Sequence, residues 1–266
     1  MTTKEFIEKI PFSSGCEVAN FDGETGLIAI NKKAGRAAHP NPKESAGAKP
    51  PMVRARYNFK DEYYSWDTPE GEYLRMYLIN RIDSPTSGLI LASDNAAAAA
   101  AAKEAFKNKT VEKTYFAICV GRLSQLGGTW ADTIIPRKSG NFVRATVGAS
   151  GRRAETDFEF ADYDVNGANL TLLKLRPKTG ITHQLRIQCS KRGFPILGDA
   201  TYGNFAFNKR FRTAAKINRL FLHCAKTSLK IVLNGKEFSF SAEAALPQSF
   251  KCALLYNKDI LTSFKI

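Results

Sequence analysis

Residues 80–88 read Asn80-Arg81-Ile82-Asp83-Ser84-Pro85-Thr86-Ser87-Gly88. An apolar stretch beginning at Tyr73 leads into them, and Leu89 to Ala92 leads out as a short apolar strand. Ser-Pro-Thr-Ser-Gly is turn chemistry, because Pro presets φ and Gly tolerates conformations closed to other residues. Asp83 therefore stands at a turn between two strand-like runs, where a scaffold can hold a side chain rigidly at the mouth of a cleft. An Asp also closes such turns by hydrogen bonding its own backbone. The segment alone leaves a structural and a chemical role open.

Working outward, strands dominate. Gly26 to Asn31 (GLIAIN) reads as a buried first strand, and residues 36–58 read as a long basic loop carrying Pro40, Pro42, Pro50, Pro51, Lys43, Lys49, Arg54 and Arg56. A loop of that length in a compact domain is usually functional or disordered. Ser93, Asp94 and Asn95 are capping types, and the alanines after them predict a helix near 96–108. Thr114–Val120, the alternating run 157–161 and Leu170–Leu175 read as strands. Thr182 is the expected N-cap of a helix through Lys191, with Gly193 just past its end. Residues 195–202 are turn-rich. Arg219–Cys224 and Ser228–Leu233 read as strands, and Asn234-Gly235 as a hairpin turn leading to Glu237–Ser241. The pattern predicts an α+β fold with a mixed, mostly antiparallel central sheet flanked by helices and loops.

Composition narrows the partners. The chain has 266 residues, 44% of them apolar, and 39 Lys+Arg against 25 Asp+Glu give a formal charge of +14. Such a field draws polyanions: RNA, DNA or an anionic membrane. No apolar run approaches the ~20 residues of a spanning helix, and the charged N-terminus does not read as a signal peptide. Five scattered cysteines form no C-x-x-C pair, so no zinc site or disulfide framework is expected, and a cytoplasmic setting is.

Two further segments carry chemistry. In Lys178-Thr179-Gly180-Ile181-Thr182-His183-Gln184-Leu185-Arg186, Arg186 falls one turn into the expected helix, on the face of Thr182. His183 offers acid–base chemistry, although His183 and Gln184 also suit the plain task of satisfying buried backbone. Lys113-Thr114-Tyr115 opens a strand whose alternation puts Lys113 and Tyr115 on one face. Tyr115 is then a core aromatic, or a ring that stacks on a nucleobase.

Together these segments resemble the pseudouridine synthases of the RluA type. That family's His-Arg-Leu-Asp-x-x-Thr-Ser-Gly stands here as residues 80–88, and its Gly-Arg-Thr-His-Gln-Ile-Arg as 180–186. Its Pro-Ile-x-Gly-Asp-x-x-Tyr-Gly is matched by Pro195, Ile196, Gly198, Asp199, Tyr202 and Gly203. Its Lys-Pro-x-Gly turn and His-Pro look like residues 30–35 and His39-Pro40, its Lys-x-Tyr like Lys113 and Tyr115, and its Arg-Leu-x-Leu-His-Ala like 219–224. Asn80, Ile82, Ile181 and Lys33 depart from the pattern. The likeness covers about residues 20–245. About two dozen residues precede the first expected strand, so a short form is expected: one catalytic domain over 1–266 without a separate S4 module.

The resemblance implies conversion of uridine to pseudouridine in structured RNA, rRNA or tRNA, in a pseudouridine synthase fold with an RNA-binding cleft. It implies Asp83 as nucleophile, Arg186 as the cation that keeps Asp83 ionised and Tyr115 against the target uracil. Arg81 would fill the gap left by the flipped base. Lys32, His39, Thr86, Lys113, His183 and Gln184 would contact RNA or substrate. The isomerisation needs no metal and no cofactor. A monomer without an obligatory protein partner is expected, because one flipped base needs one cleft. Two other classes fit the charge: a non-catalytic RNA-binding or chaperone protein that keeps the fold, and a nuclease with Asp83 and Asp199 as metal ligands.

Overall fold

The computed structural model describes residues 1–41, 49–123, 125–139, 142–148, 150–164 and 167–255. In chain order its elements are α1 (Thr3–Glu8), β1 (Cys16–Asp22), β2 (Leu27–Lys32), β3 (Arg56–Asn58), β4 (Tyr63–Asp67), β5 (Tyr73–Leu78), β6 (Ser87–Ser93), α2 (Ala96–Lys107) and β7 (Glu112–Val120). There follow β8 (Gly127–Ser139), β9 (Phe142–Val147), β10 (Arg152–Tyr163), β11 (Leu170–Pro177), α3 (Gln184–Lys191), α4 (Phe205–Ala215), β12 (Leu222–Leu233), β13 (Lys236–Glu243) and α5 (Gln248–Leu254). The chain forms two compact units: Met1–Lys113 with Cys224–Ala244, and Thr114–His223 with the segment from Ala245 onward.

In the first unit, β3, β4, β5 and β6 lie side by side, β2 pairs with both β1 and β6, and β12 pairs with β13. The pairings are antiparallel, with Ile30 opposite Val18 on one side and Ile90 on the other. A strand with neighbours on both edges suits the unbroken apolar run of β2, and β6 is buried along its whole length. β5 alternates instead: Leu74, Met76 and Leu78 point into a core with Phe6, Ile28, Met52, Val53, Tyr64 and Trp66. α2 begins where Asn95 accepts the N–H groups of Ala97 and Ala98, and it buries Ala98, Ala99, Ala102 and Ala105. Alanine on that face brings the helix close to β5 and β6.

The second unit holds the antiparallel order β7-β11-β10-β8-β9. Its core gathers Ile118, Leu173, Leu175, Leu185, Cys189, Leu197, Phe211, Phe221 and Phe250. The expected α+β class with a mostly antiparallel sheet is borne out. So are the helix near 96–108 and the Asn234-Gly235 hairpin, whose two turn residues have φ of 52° and 79°.

Several local expectations are corrected. Residues before the GLIAIN strand are structured, because Thr2 and Glu5 form a capping box for α1 and β1 supplies an edge partner for β2. The long basic loop gives way to β3 just before its expected end, and parts of it are enclosed. Met52 and Val53 are fully buried, Ala37 bridges Pro51, Phe12 bridges Val53, and β3 begins at Arg56. Apolar residues between the prolines drew that segment into the core. Pro42 and Lys43 lie outside the described residues. β12 is one strand over Leu222–Leu233 rather than two. β4, β8, β9, α4 and α5 had no counterpart in the sequence reading.

Candidate active site

Asp83 lies in a turn of the first unit, partly exposed, with its carbonyl accepting the Thr86 N–H at 3.0 Å. The turn is fixed from within by Lys32. That side chain is wholly buried, and its ammonium donates to the carbonyls of Lys33 (3.2 Å), Arg36 (2.7 Å), Ser84 (3.1 Å) and Thr86 (2.6 Å). Carbonyl dipoles thus replace the water that a buried ammonium gives up. The expectation that Lys32 lines an RNA cleft is corrected: it ties the turn after β2 to the turn after Asp83. Thr86, 2% exposed, shapes the same turn from inside and does not face outward. Gly88 closes it at φ 105°, where a Cβ would fall 2.2 Å from the Cys224 carbonyl oxygen. Asn80 Oδ1 accepts the Leu91 N–H at 2.7 Å, so this departure from the family motif anchors the approach to the turn.

Arg81 is exposed two residues before Asp83 and reaches His39, Nη1 to Nε2 2.9 Å. A guanidinium only donates, so His39 Nε2 accepts, and Nδ1–H then donates to the Pro40 carbonyl at 2.7 Å. His39 stacks on Tyr57, centroids 5.2 Å apart, and meets the edge of Phe59. Burial pushes the Tyr57 hydroxyl up to about 12, so it stays protonated. Lys113 is part-buried with its ammonium 5.9 Å from the Phe106 ring, and burial holds its pKa below the usual lysine value.

In the second unit, Arg186 occupies the first turn of α3, 4% exposed. Its Nε and Nη2 donate to the two oxygens of Asp199 at 2.7 and 2.8 Å. Asp199 Oδ1 also accepts the N–H groups of Thr201 and Tyr202. Burial pushes the Asp199 carboxyl up, and the guanidinium and these N–H groups more than offset it, leaving it below the usual carboxylate range. Both Asp199 oxygens are therefore engaged, which leaves the nuclease assignment without its second ligand. Among the described residues, no three His, Cys, Asp or Glu side chains cluster as a metal site.

The start of α3 departs from expectation. Thr182 is not its N-cap; His183 is, in a left-handed conformation at φ 59° with no side-chain cap. Gln184 does the work of tying the entry down. Its Oε1 accepts from Ile181 N–H and the Thr179 hydroxyl, and its Nε2 donates to the Glu155 carbonyl and the Thr156 hydroxyl. A side chain so committed and 4% exposed positions α3, which corrects its expected contact with RNA. His183 Nδ1 lies 3.0 Å from the Tyr202 hydroxyl, and the Tyr202 ring is 5.2 Å from the Arg186 guanidinium carbon. Tyr115 sits on β7 opposite Leu175, partly buried against the core. Asp199 was visible in the sequence as part of a Gly-Asp turn, but nothing local marked it as the partner of Arg186, thirteen residues earlier.

The chain is similar to known proteins in sequence and in fold. The family model described as RNA pseudouridylate synthase matches residues 26–191, a span that takes in Asp83, Tyr115 and Arg186. The chain belongs to this family. It is 30% identical over 200 residues to an uncharacterized RNA pseudouridine synthase of Bacillus subtilis, covering 75% of this chain and 60% of that one. It is 30% identical over 199 residues to ribosomal large subunit pseudouridine synthase C of Vibrio vulnificus, covering 75% and 57%. The chain thus spans about six tenths of the length of these relatives. Among solved structures, human RNA pseudouridylate synthase domain containing 1 aligns with a TM-score of 0.60 at 20% identity, over 91% of this chain and 96% of that one. Human RNA pseudouridylate synthase domain containing 4 aligns at 0.58 and 20%, over 95% and 94%. Both share the fold.

Proposed function

We propose that this family member converts uridine to pseudouridine in RNA, with Asp83 as the nucleophile. The observation that carries the proposal is the Asp83 turn, held from inside by the buried Lys32 ammonium in a chain of this family. A partly exposed carboxylate on a rigid turn is suited to attack a bound nucleotide, since fixed geometry removes much of the entropic barrier. The N1–C1′ bond breaks, the uracil turns, C5 bonds C1′ as Asp83 is released, and the C5 proton leaves to solvent while N1 takes one up. Arg186, oriented by Asp199, is the cation of the reacting groups. Tyr115 stacks on the uracil, and Arg81 takes the place of the extruded base. His183, held by Tyr202, and Lys113 border the substrate.

The relatives titled ribosomal large subunit pseudouridine synthase make large-subunit rRNA the first substrate class to test, and tRNA the second. The protein acts as a monomer in the cytoplasm. No described helix is long and apolar enough to cross a membrane. The test is release of tritium from RNA carrying 5-tritiated uridine. Release that disappears in Asp83→Asn supports the proposal. No release from either RNA class would favour an RNA-binding protein that keeps the fold.

A further inference from the structure

Between Asp199 and Glu237 the sequence has eight Lys and Arg residues and no acidic one. Three of the eight, Lys226, Lys230 and Lys236, pair with Glu243, Glu237 and Glu24. Arg219 is part-buried over Phe221 and Phe250. The other four, Lys209, Arg210, Arg212 and Lys216, lie on or just beyond α4, all exposed, and have no carboxylate partner among the described residues. Phe205, Lys209, Arg212 and Lys216 follow one another at steps of four, three and four residues, which aligns them along one face of a helix. Phe207 and Phe211 occupy the opposite, buried face. Phe205 is 62% exposed at the first turn. Cations in a last turn complement the helix dipole. That accounts for Arg212 and Lys216, but not for Lys209, Arg210 or an exposed aromatic at the other end.

The helix is held by the turn that carries Asp199. Asn208 Oδ1 accepts the Gly198 N–H at 2.9 Å, and its Nδ2 donates to the Asp199 carbonyl at 3.1 Å. Asn204 caps the helix by accepting the Phe207 N–H. α4 thus starts three residues after Tyr202, whose ring faces Arg186, and runs for about 16 Å. We propose that Phe205, Lys209, Arg212 and Lys216 form a strip that binds the single-stranded RNA flanking the target uridine. The cations neutralise successive phosphates and Phe205 stacks on an unpaired base. This rests on the RNA reading given above and extends it to a surface outside the reacting groups.

The experiment is binding of a fluorescein-labelled RNA hairpin with a uridine-rich loop, titrated between about 50 and 200 mM KCl. Each phosphate neutralised on a single strand contributes about 0.7 to the slope of log affinity against log salt. The Lys209→Gln/Arg212→Gln/Lys216→Gln variant is expected to flatten that slope by about two. The charge-keeping Lys209→Arg/Arg212→Lys/Lys216→Arg variant keeps it. Phe205→Ala weakens binding by about fivefold or more with the slope unchanged. An unchanged slope in the Gln variant overturns the proposal. So does a loss confined to binding of poly-glutamate, which points to an acidic protein partner. The two readings fail separately. If tritium release persists in Asp83→Asn, the isomerase site falls while the strip stands. If turnover is Asp83-dependent and the slope is unmoved, only the strip falls.

Discussion

At the scale of single residues, the buried polar groups decide most. Lys32 donates to four carbonyls that belong to two turns, and Lys32→Met removes that shared donor. We expect it to cost about 2–4 kcal/mol in urea unfolding and to lower turnover more than RNA affinity, because the Asp83 turn loosens. The Arg186–Asp199 pair is enclosed on both sides, and Asp199→Ala, which strands a buried guanidinium, should cost about 3–5 kcal/mol. Its pH signature has a definite sign. The Asp199 carboxyl lies below its ordinary value in the folded state. The pair therefore stabilises the fold above the ordinary aspartate pKa of about 3.9, and that stability is lost as pH falls below it. Asp199→Asn should flatten the acid limb of a stability–pH curve in that window and leave the neutral limb parallel. The Asp83 turn could be picked out of the sequence because Ser-Pro-Thr-Ser-Gly announces it, whereas the role expected of Asp83 came from the family resemblance. The inward roles of Lys32, Thr86 and Gln184 could not, because their partners are backbone groups up to 54 residues away and residue type does not reveal enclosure.

At the scale of elements, local chemistry was readable where it was self-sufficient. Asn95 with the alanines after it specifies α2 by capping and propensity alone, and Asn234-Gly235 specifies a two-residue hairpin. Asn95→Ala should cost about 1 kcal/mol, seen as a lower thermal midpoint without loss of RNA binding. Where tertiary contacts decide, the sequence was silent or misleading. Met52 and Val53 draw a proline-rich segment into the core. The left-handed His183 replaces Thr182 as the start of α3 because Gln184 reaches back to Ile181 N–H and fixes the entry from inside the helix. α4 had an Asn cap and an apolar pair at 207 and 211, but residues 203–218 were given no element.

At the scale of the whole molecule, the +14 charge favours polyanions without saying where one would bind. The structure spreads many of its charges into ion pairs such as Lys178 with Glu155 and Asp157. The strip on α4 aligns three exposed cations that have no carboxylate partner among the described residues along one helix face. RNA affinity should accordingly fall steeply with salt, and α4 should carry a measurable part of the slope. The family's order of motifs, over about residues 20–245, was legible because most of them mark a turn or an element end with its own local chemistry. The central claim is that Asp83 performs the reaction. Its most direct test is tritium release from 5-tritiated uridine in large-subunit rRNA, measured for the wild-type chain and for Asp83→Asn under conditions where both bind the RNA. The account predicts release by the wild type and none above background by the variant at equal RNA occupancy; release by Asp83→Asn at the wild-type rate would contradict it.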